Sequence, residues 1–261
     1  MTIVMLELNT SAEKSLFRSP GIFLRFPDLV AAESTRHGGV STGPFTSLNL
    51  GGSTQDSTEN VLENNHRFFH ALNVPFEQVA KSHQVHGEEI LNVSEAGRYD
   101  GYDALITNQP DIQLAVTVAD CTPILIFDPV QRAVAAIHAG WRGTVSEIVF
   151  KTVGRMVEVF GTNASDCLAY VGTCIDECSF EVGEDVAQHF QSDYKRWDDV
   201  KAKFFVDLKA ANRDQLLRAG LKAGNIEISM YSTVLNNDDY FSYRHEKGLT
   251  GRMLATIGTR K

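Results

Sequence analysis

Three segments of this chain set metal-type and nucleophile-type residues between apolar runs. Within residues 117–144, Asp120-Cys121 interrupts one apolar run and His138 follows another at 134–137. Upstream, Lys81-Ser82-His83-Gln84-Val85-His86-Gly87 carries two histidines three apart beside a glycine. Cysteine thiolate and neutral imidazole are ligands that zinc prefers. His86, Cys121 and His138 would form a Cys-His-His set with a fourth position open, the pattern of a catalytic rather than a closed structural site. The same residues also suit a metal-free thiol hydrolase, with Cys121 as nucleophile, His138 as its base and His86 as helper. Taken singly, each is as readily a packed cysteine or a hydrogen-bonded core histidine. There is no CxxC pair and no HExxH helix, so spacing alone does not choose.

Other polar residues could complete such a site. Gly140-Trp141-Arg142-Gly143 precedes a helix-like run, so its backbone N–H groups and Arg142 could meet an anion; the alternative is a tight turn with a solvated arginine. Asp120, beside Cys121, is a candidate general acid or base, although strand alternation would turn the two apart unless the chain bends there. Arg36, Asn49, Arg244 and Arg252 lie in glycine- or turn-rich segments at opposite ends of the chain. Arginine forks suit phosphate and carboxylate, and Arg36, Asn49 and Arg244 are taken as pocket residues. His83 could be a hydrogen-bond donor behind the ligands or a base near the metal. Cys174 and Cys178 are read as part of a pocket wall or turn rather than as a second metal site.

The segments QVHG (84–87), ADCTP (119–123) and HAGWRG (138–143), in that order, resemble the signatures of the polyphenol-oxidase-like, laccase-domain family, also called purine nucleoside phosphorylase-like or peptidoglycan-editing-factor-like. Ser34 to Ser41, Ser47 to Gly51, Phe180 to Gly183, Phe241 to Arg244 and Thr250 to Arg252 extend the likeness over nearly the whole chain from Gly21. The resemblance implies that His86, Cys121 and His138 are metal ligands, and that the fold is a compact one shared with cysteine hydrolases. It implies zinc, with copper as the alternative, and phosphorolysis of purine nucleosides, with adenosine deamination and methylthioadenosine phosphorolysis as related activities. The editing-factor name implies an amidase acting on a peptidoglycan precursor. The older name implies a copper phenol oxidase, but eight histidines and no HxH pair are poor material for a laccase cluster. The chain departs from the family at Gly172-Thr173, at Ser232, where relatives commonly carry cysteine, and at His83.

The elements that must hold these residues mix strands and helices without strict alternation, which predicts a mixed-sheet α/β fold with α+β character. Strands are expected at 21–26, 30–35, 79–81, 90–93, 103–106, 114–119, 124–127, 130–137, 168–171, 204–208, 226–230 and 252–257. Helices are expected from a cap at Asp56 to about 72, and at 144–160, 183–190 and 209–217. Residues 36–56 read as a long functional loop. Residues 1–20 read as poorly fixed, and 21–261 as one domain without linker or repeat.

The chain has 261 residues, 43% of them hydrophobic, and a net charge of −9. That balance argues against a nucleic-acid partner, while local arginines leave room for an anionic small molecule. No signal peptide, no membrane span and four cysteines point to a cytoplasmic protein with free thiols. The expected partners are a nucleoside and phosphate; the oligomeric state stays open.

Overall fold

In a computed structural model, residues 14–261 are described, and they form a mixed α/β fold in layers. One six-stranded sheet runs, in spatial order, Phe17–Arg18, Leu29–Ser34, Met253–Thr259, Gln113–Val118, Val79–His83, Gly97–Asp100. A second runs Ile226–Ile228, Leu168–Val171, Thr122–Asp128, Ala133–Ala139, Ala104–Thr107, Ile90–Asn92. Both contain parallel and antiparallel pairs. A small sheet of Glu181–Val182, Lys203–Val206 and Lys195–Asp198 lies to one side.

Side-chain alternation explains the layering. In Thr122–Asp128, Leu125 and Phe127 face the first sheet and pack with Leu114, Val116 and Ile257. Ile124 and Ile126 face the other way, onto Val149, Val153 and Met156 of the helix Ile148–Phe160 and Leu216 of the helix Leu208–Arg218. The first sheet's outer face carries Ala32, Val79, Ala115 and Leu254 against Phe68, Phe69 and Leu72 of the helix Thr58–Ala71 and its C-cap. The order is therefore helix, sheet, sheet, helix pair. Thr122–Asp128 and Ala133–Ala139 are buried along their whole lengths, as strands covered on both faces must be. No helix among the described residues is long and apolar enough to cross a membrane.

Several expectations change. Residues 21–26 are not a strand: Gly21–Phe23 is a 3-10 turn, set between Pro20 and Pro27. The fixed part of the chain starts before Gly21, because Phe17–Arg18 pairs with Glu33–Ser34; residues 1–13 of the segment read as poorly fixed lie outside the described residues. The cap of the first helix is Ser57, whose Oγ accepts from the Asn60 N–H at 3.2 Å, rather than Asp56. The helix expected at 144–160 is two helices, Trp141–Val145 and Ile148–Phe160, broken where Glu147 takes φ 59°. That break lets the first helix turn sit beside the strand ends. The helix expected at 183–190 shortens to Glu184–Ala187.

Candidate metal centre

His86, Cys121 and His138 converge, and one donor atom from each lies within 4.8 Å of the others. Two of them share a hairpin. Cys121 immediately precedes Thr122–Asp128, and His138 lies on Ala133–Ala139, paired with Pro123. His86 arrives from the loop between Val79–His83 and Ile90–Asn92, with its ring edge-on to His138 at 4.9 Å between centroids. Glycines admit the convergence. A Cβ on Gly140 would stand 3.1 Å from both Cys121 Sγ and His86 Cδ2, and one on Gly143 3.1 Å from the Gly87 carbonyl. The HAGWRG turn thus closes onto the QVHG loop only because these positions lack side chains.

Asp103 fixes both histidines. It is fully buried, and its Oδ1 lies 2.7 Å from His138 Nδ1. It also accepts the backbone N–H groups of Val85 (3.1 Å), His86 (3.0 Å) and Gly87 (2.8 Å). His86 is held at φ 59°, a conformation a non-glycine residue keeps only when its surroundings impose it. With Nδ1 on Asp103, His138 turns Nε2 toward Cys121. A carboxylate behind an imidazole in this way sets its tautomer and raises its basicity. Sequence reasoning saw Asp103 only as the start of a strand; its place beside the apolar run 104–106 gave no sign of the loop it would serve.

Electrostatics follow. Burial works against a thiolate, yet His138 and then His86 outweigh it and bring the Cys121 thiol down to about 6. Burial likewise opposes a charged His138, but the Cys121 sulfur and the Asp103 carboxylate push it up, to about 9. The two groups shift together, the thiol down and the ring up, and both directions favour the thiolate–imidazolium pair. Two imidazoles and a thiol of lowered proton affinity, packed against the bare backbone of Gly140, suit a borderline-soft ion such as zinc. Among the described residues this is the one such group.

The other expected residues have varied placements. Asp120, at φ 80°, bends the chain so that alternation no longer holds, and its carboxylate accepts from Thr233 Oγ1 (2.6 Å), Ser242 Oγ (2.7 Å) and the Arg244 N–H (2.6 Å). Arg36 is engaged within the chain. Its guanidinium donates to the carbonyls of Thr46 (3.0 Å) and Asn237 (2.8 Å) and to Glu246 (3.0 Å), and stacks over Phe241. Asn49 is fully buried, with its amide engaged by Thr54, Asp56, Gly51 and Arg252. The polar groups of both are engaged by partners within the chain. Arg142 is exposed over the Trp141 ring at 4.6 Å. Arg244 is exposed and touches the Ser179 and Glu181 carbonyls. His83 pairs with Asp100 (2.8 Å). Cys174 and Cys178 form no disulfide.

The fold and the site define a mixed α/β protein with a His-Cys-His group able to hold a metal ion. The family model described as multi-copper polyphenol oxidoreductase laccase matches residues 30–260, and the chain belongs to that family. A purine nucleoside phosphorylase of Deinococcus radiodurans is 39% identical over 245 residues, covering 92% of this chain and 94% of that one. One from Bacteroides thetaiotaomicron is 38% identical over 240 residues, covering 86% and 89%. Among solved structures, YlmD from Geobacillus stearothermophilus superposes with a TM-score of 0.87 at 32% identity, covering 94% of this chain and 99% of its own. YfiH from Bacillus licheniformis gives 0.85 at 30%, covering 89% and 93%.

Proposed function

We propose that this chain is a zinc-dependent purine nucleoside phosphorylase of the cytoplasm, with adenosine deamination and methylthioadenosine phosphorolysis as related activities. The observation that carries the reading is the convergence of His86, Cys121 and His138 against the bare backbone of Gly140. It is supported by the name purine nucleoside phosphorylase carried by relatives that align over most of the chain.

His86, Cys121 and His138 would hold the ion. When bound, zinc supplies a Lewis acid with one position open to a substrate. The chain's own groups prepare that position. Asp103 keeps His138 in one tautomer and pins the loop that carries His86. Asp120 holds the segment of Thr233, Ser242 and Arg244 against the strand end, so that Arg244 stands at the rim. Arg142 and Arg244 are exposed cations available to an anionic substrate. The family name points to copper, but one three-donor group is not the material of a multi-copper cluster.

A second reading rests on a specific arrangement. Cys121, His138 and Asp103 stand in the order nucleophile, base, orienting carboxylate, with the thiol brought down to about 6. That is the layout of a thiol hydrolase, such as an amidase on a peptidoglycan precursor.

One experiment separates the two. The protein is purified without a metal-affinity tag, its metals are measured by mass spectrometry, and inosine and adenosine turnover is followed with and without phosphate. The expected result is about one zinc per chain, phosphate-dependent cleavage of inosine, and loss of turnover on chelation. Replacing His86 or His138 by Ala should lower occupancy at least about tenfold. Undiminished turnover in a zinc-free sample would overturn the metal reading in favour of the thiol one.

A further inference from the structure

Three cations gather around Gly51 and Gly52, and none of them makes an ion pair among the described residues. Arg252 lays its stem against Gly51, where a Cβ would stand 2.5 Å from its Cγ. Arg98 brings both terminal nitrogens to 4.0 Å from the corresponding point on Gly52. Lys81, the cross-strand partner of Arg98, binds Asn65 Oδ1, and Asn65 in turn donates to the Leu50 carbonyl at 3.4 Å. The cluster stands out in a chain of net charge −9. Its effect is visible on Lys81. Burial and then the Arg98 charge bring that ammonium down to about 7, as expected where positive groups crowd without a counter-charge.

Nearby carboxylates do not answer this charge. Asp56 accepts from Ser41, Asn49, Ser57 and Asn60. Asp120 accepts from Thr233, Ser242 and Arg244. Meanwhile a buried residue builds the cradle: Asn49 Oδ1 accepts the N–H of Gly51 (3.1 Å) and of Arg252 (2.9 Å), locking loop and arginine together. Arg252 is half-buried, donates one nitrogen to the Thr250 and Gly251 carbonyls, and lies 5.4 Å over the Tyr243 ring. Met253, next to Arg252, pairs with Val118, three residues before Cys121, so the cluster lies at the strand end that leads to the His86–Cys121–His138 group.

We infer that Arg252, Arg98 and Lys81, around the open backbone of Gly52, hold a phosphate dianion beside the metal centre. Guanidinium forks grip phosphate oxygens in pairs, and side-chain-free backbone lets an anion approach closely. Within the proposed phosphorolysis, on which this inference rests, the cradle would present phosphate to a nucleoside at the open metal position. Asn49 and Gly51 are then positioning residues for Arg252.

The test is calorimetric titration of the whole protein with inorganic phosphate, wild type against Arg98→Gln and Arg252→Gln, alongside the KM values for phosphate and inosine. One phosphate per chain is expected. Arg252→Gln should weaken it at least about tenfold and Arg98→Gln about threefold to tenfold, with the phosphate KM rising in step and the inosine KM unmoved. Arg98 is exposed on a sheet edge, so its variant reports on the site even if Arg252→Gln fails to fold, which thermal unfolding would reveal. Wild-type affinity in the folded variants, or no phosphate binding by the wild type, overturns the inference. Binding lost in the variants without any inosine cleavage upholds the cradle and sinks the phosphorylase reading. Cleavage with unaltered phosphate binding does the reverse.

Discussion

Two aspartates flank the candidate metal centre, and their surroundings give them different work. Asp103 is completely buried and accepts from an imidazole and three consecutive amides. Asp120 is half-buried and accepts from two hydroxyls and one amide of a distant segment. In sequence, Asp120 is the neighbour of Cys121 and Asp103 is the neighbour of nothing reactive. In space, Asp103 alone touches a ligand side chain. What a carboxylate accepts from decides its role: the ring of His138 makes Asp103 a setter of tautomer and basicity, while Thr233 and Ser242 make Asp120 the anchor of a wall.

The contrast breaks most visibly at the metal. Asp103→Asn should lower zinc affinity by about tenfold to a hundredfold, read by competition with a chromophoric chelator, because the amide can no longer act as an anionic partner for His138. Asp120→Asn should keep zinc affinity within about threefold of wild type. Equal zinc losses in the two variants would erase the distinction. Gly140→Ala comes next. Its methyl meets Cys121 Sγ and His86 Cδ2 at 3.1 Å, so zinc affinity should fall by about three- to tenfold while the fold stays intact by circular dichroism. Normal zinc binding in that variant would show that the three donors have slack to spare.

Stability should sort the aspartates the other way round in kind. Asp120→Asn leaves donors in the wall imperfectly paired and should cost about 1–3 kcal/mol in urea unfolding, without a matching effect on zinc. Ser242→Ala should cost about 1 kcal/mol, being one hydrogen bond of the same set. A last effect depends on pH and touches neither aspartate. Lys81 has its folded value lowered to about 7, so between there and its ordinary 10.5 the folded state binds fewer protons than the unfolded one. Its contribution to stability therefore rises with pH across that window and is lost as pH falls back toward 7. Lys81→Met should flatten the difference in urea midpoint between pH 7 and pH 10; an unchanged slope would mean that Lys81 keeps its solvent proton affinity.

The metal-type residues were legible because each sits in a short motif at the end of an apolar run, where a buried strand stops and polar groups must have a use. The central strands were legible for the same reason, since Ile124 to Phe127 and Val134 to Ile137 can be nothing but covered on both faces. The break at Glu147 was not legible: nothing in Ser146-Glu147 opposes a helix, and it is packing of Trp141 and Val145 onto the side sheet that turns the chain. Asp103 escaped because its meaning lies in partners brought from elsewhere, Val85 to Gly87 and His138. The partners of Arg36 were equally hidden, since Thr46, Asn237 and Glu246 reach its guanidinium only through the fold.

The hairpin of Thr122–Asp128 and Ala133–Ala139 has a consequence for the order in which the centre assembles. Amides enclosed on both faces are expected to exchange slowly with solvent, and such a hairpin carries His138 within it and Cys121 at its start. His86 is exposed, in a loop tied down by bonds to a single carboxylate. An apo chain would thus keep two donors preset and let the third come and go. An arriving ion would meet half a site first and be enclosed when the loop of residues 84–87 shuts, so deuterium uptake should slow there on metal addition and stay unchanged along residues 123–138.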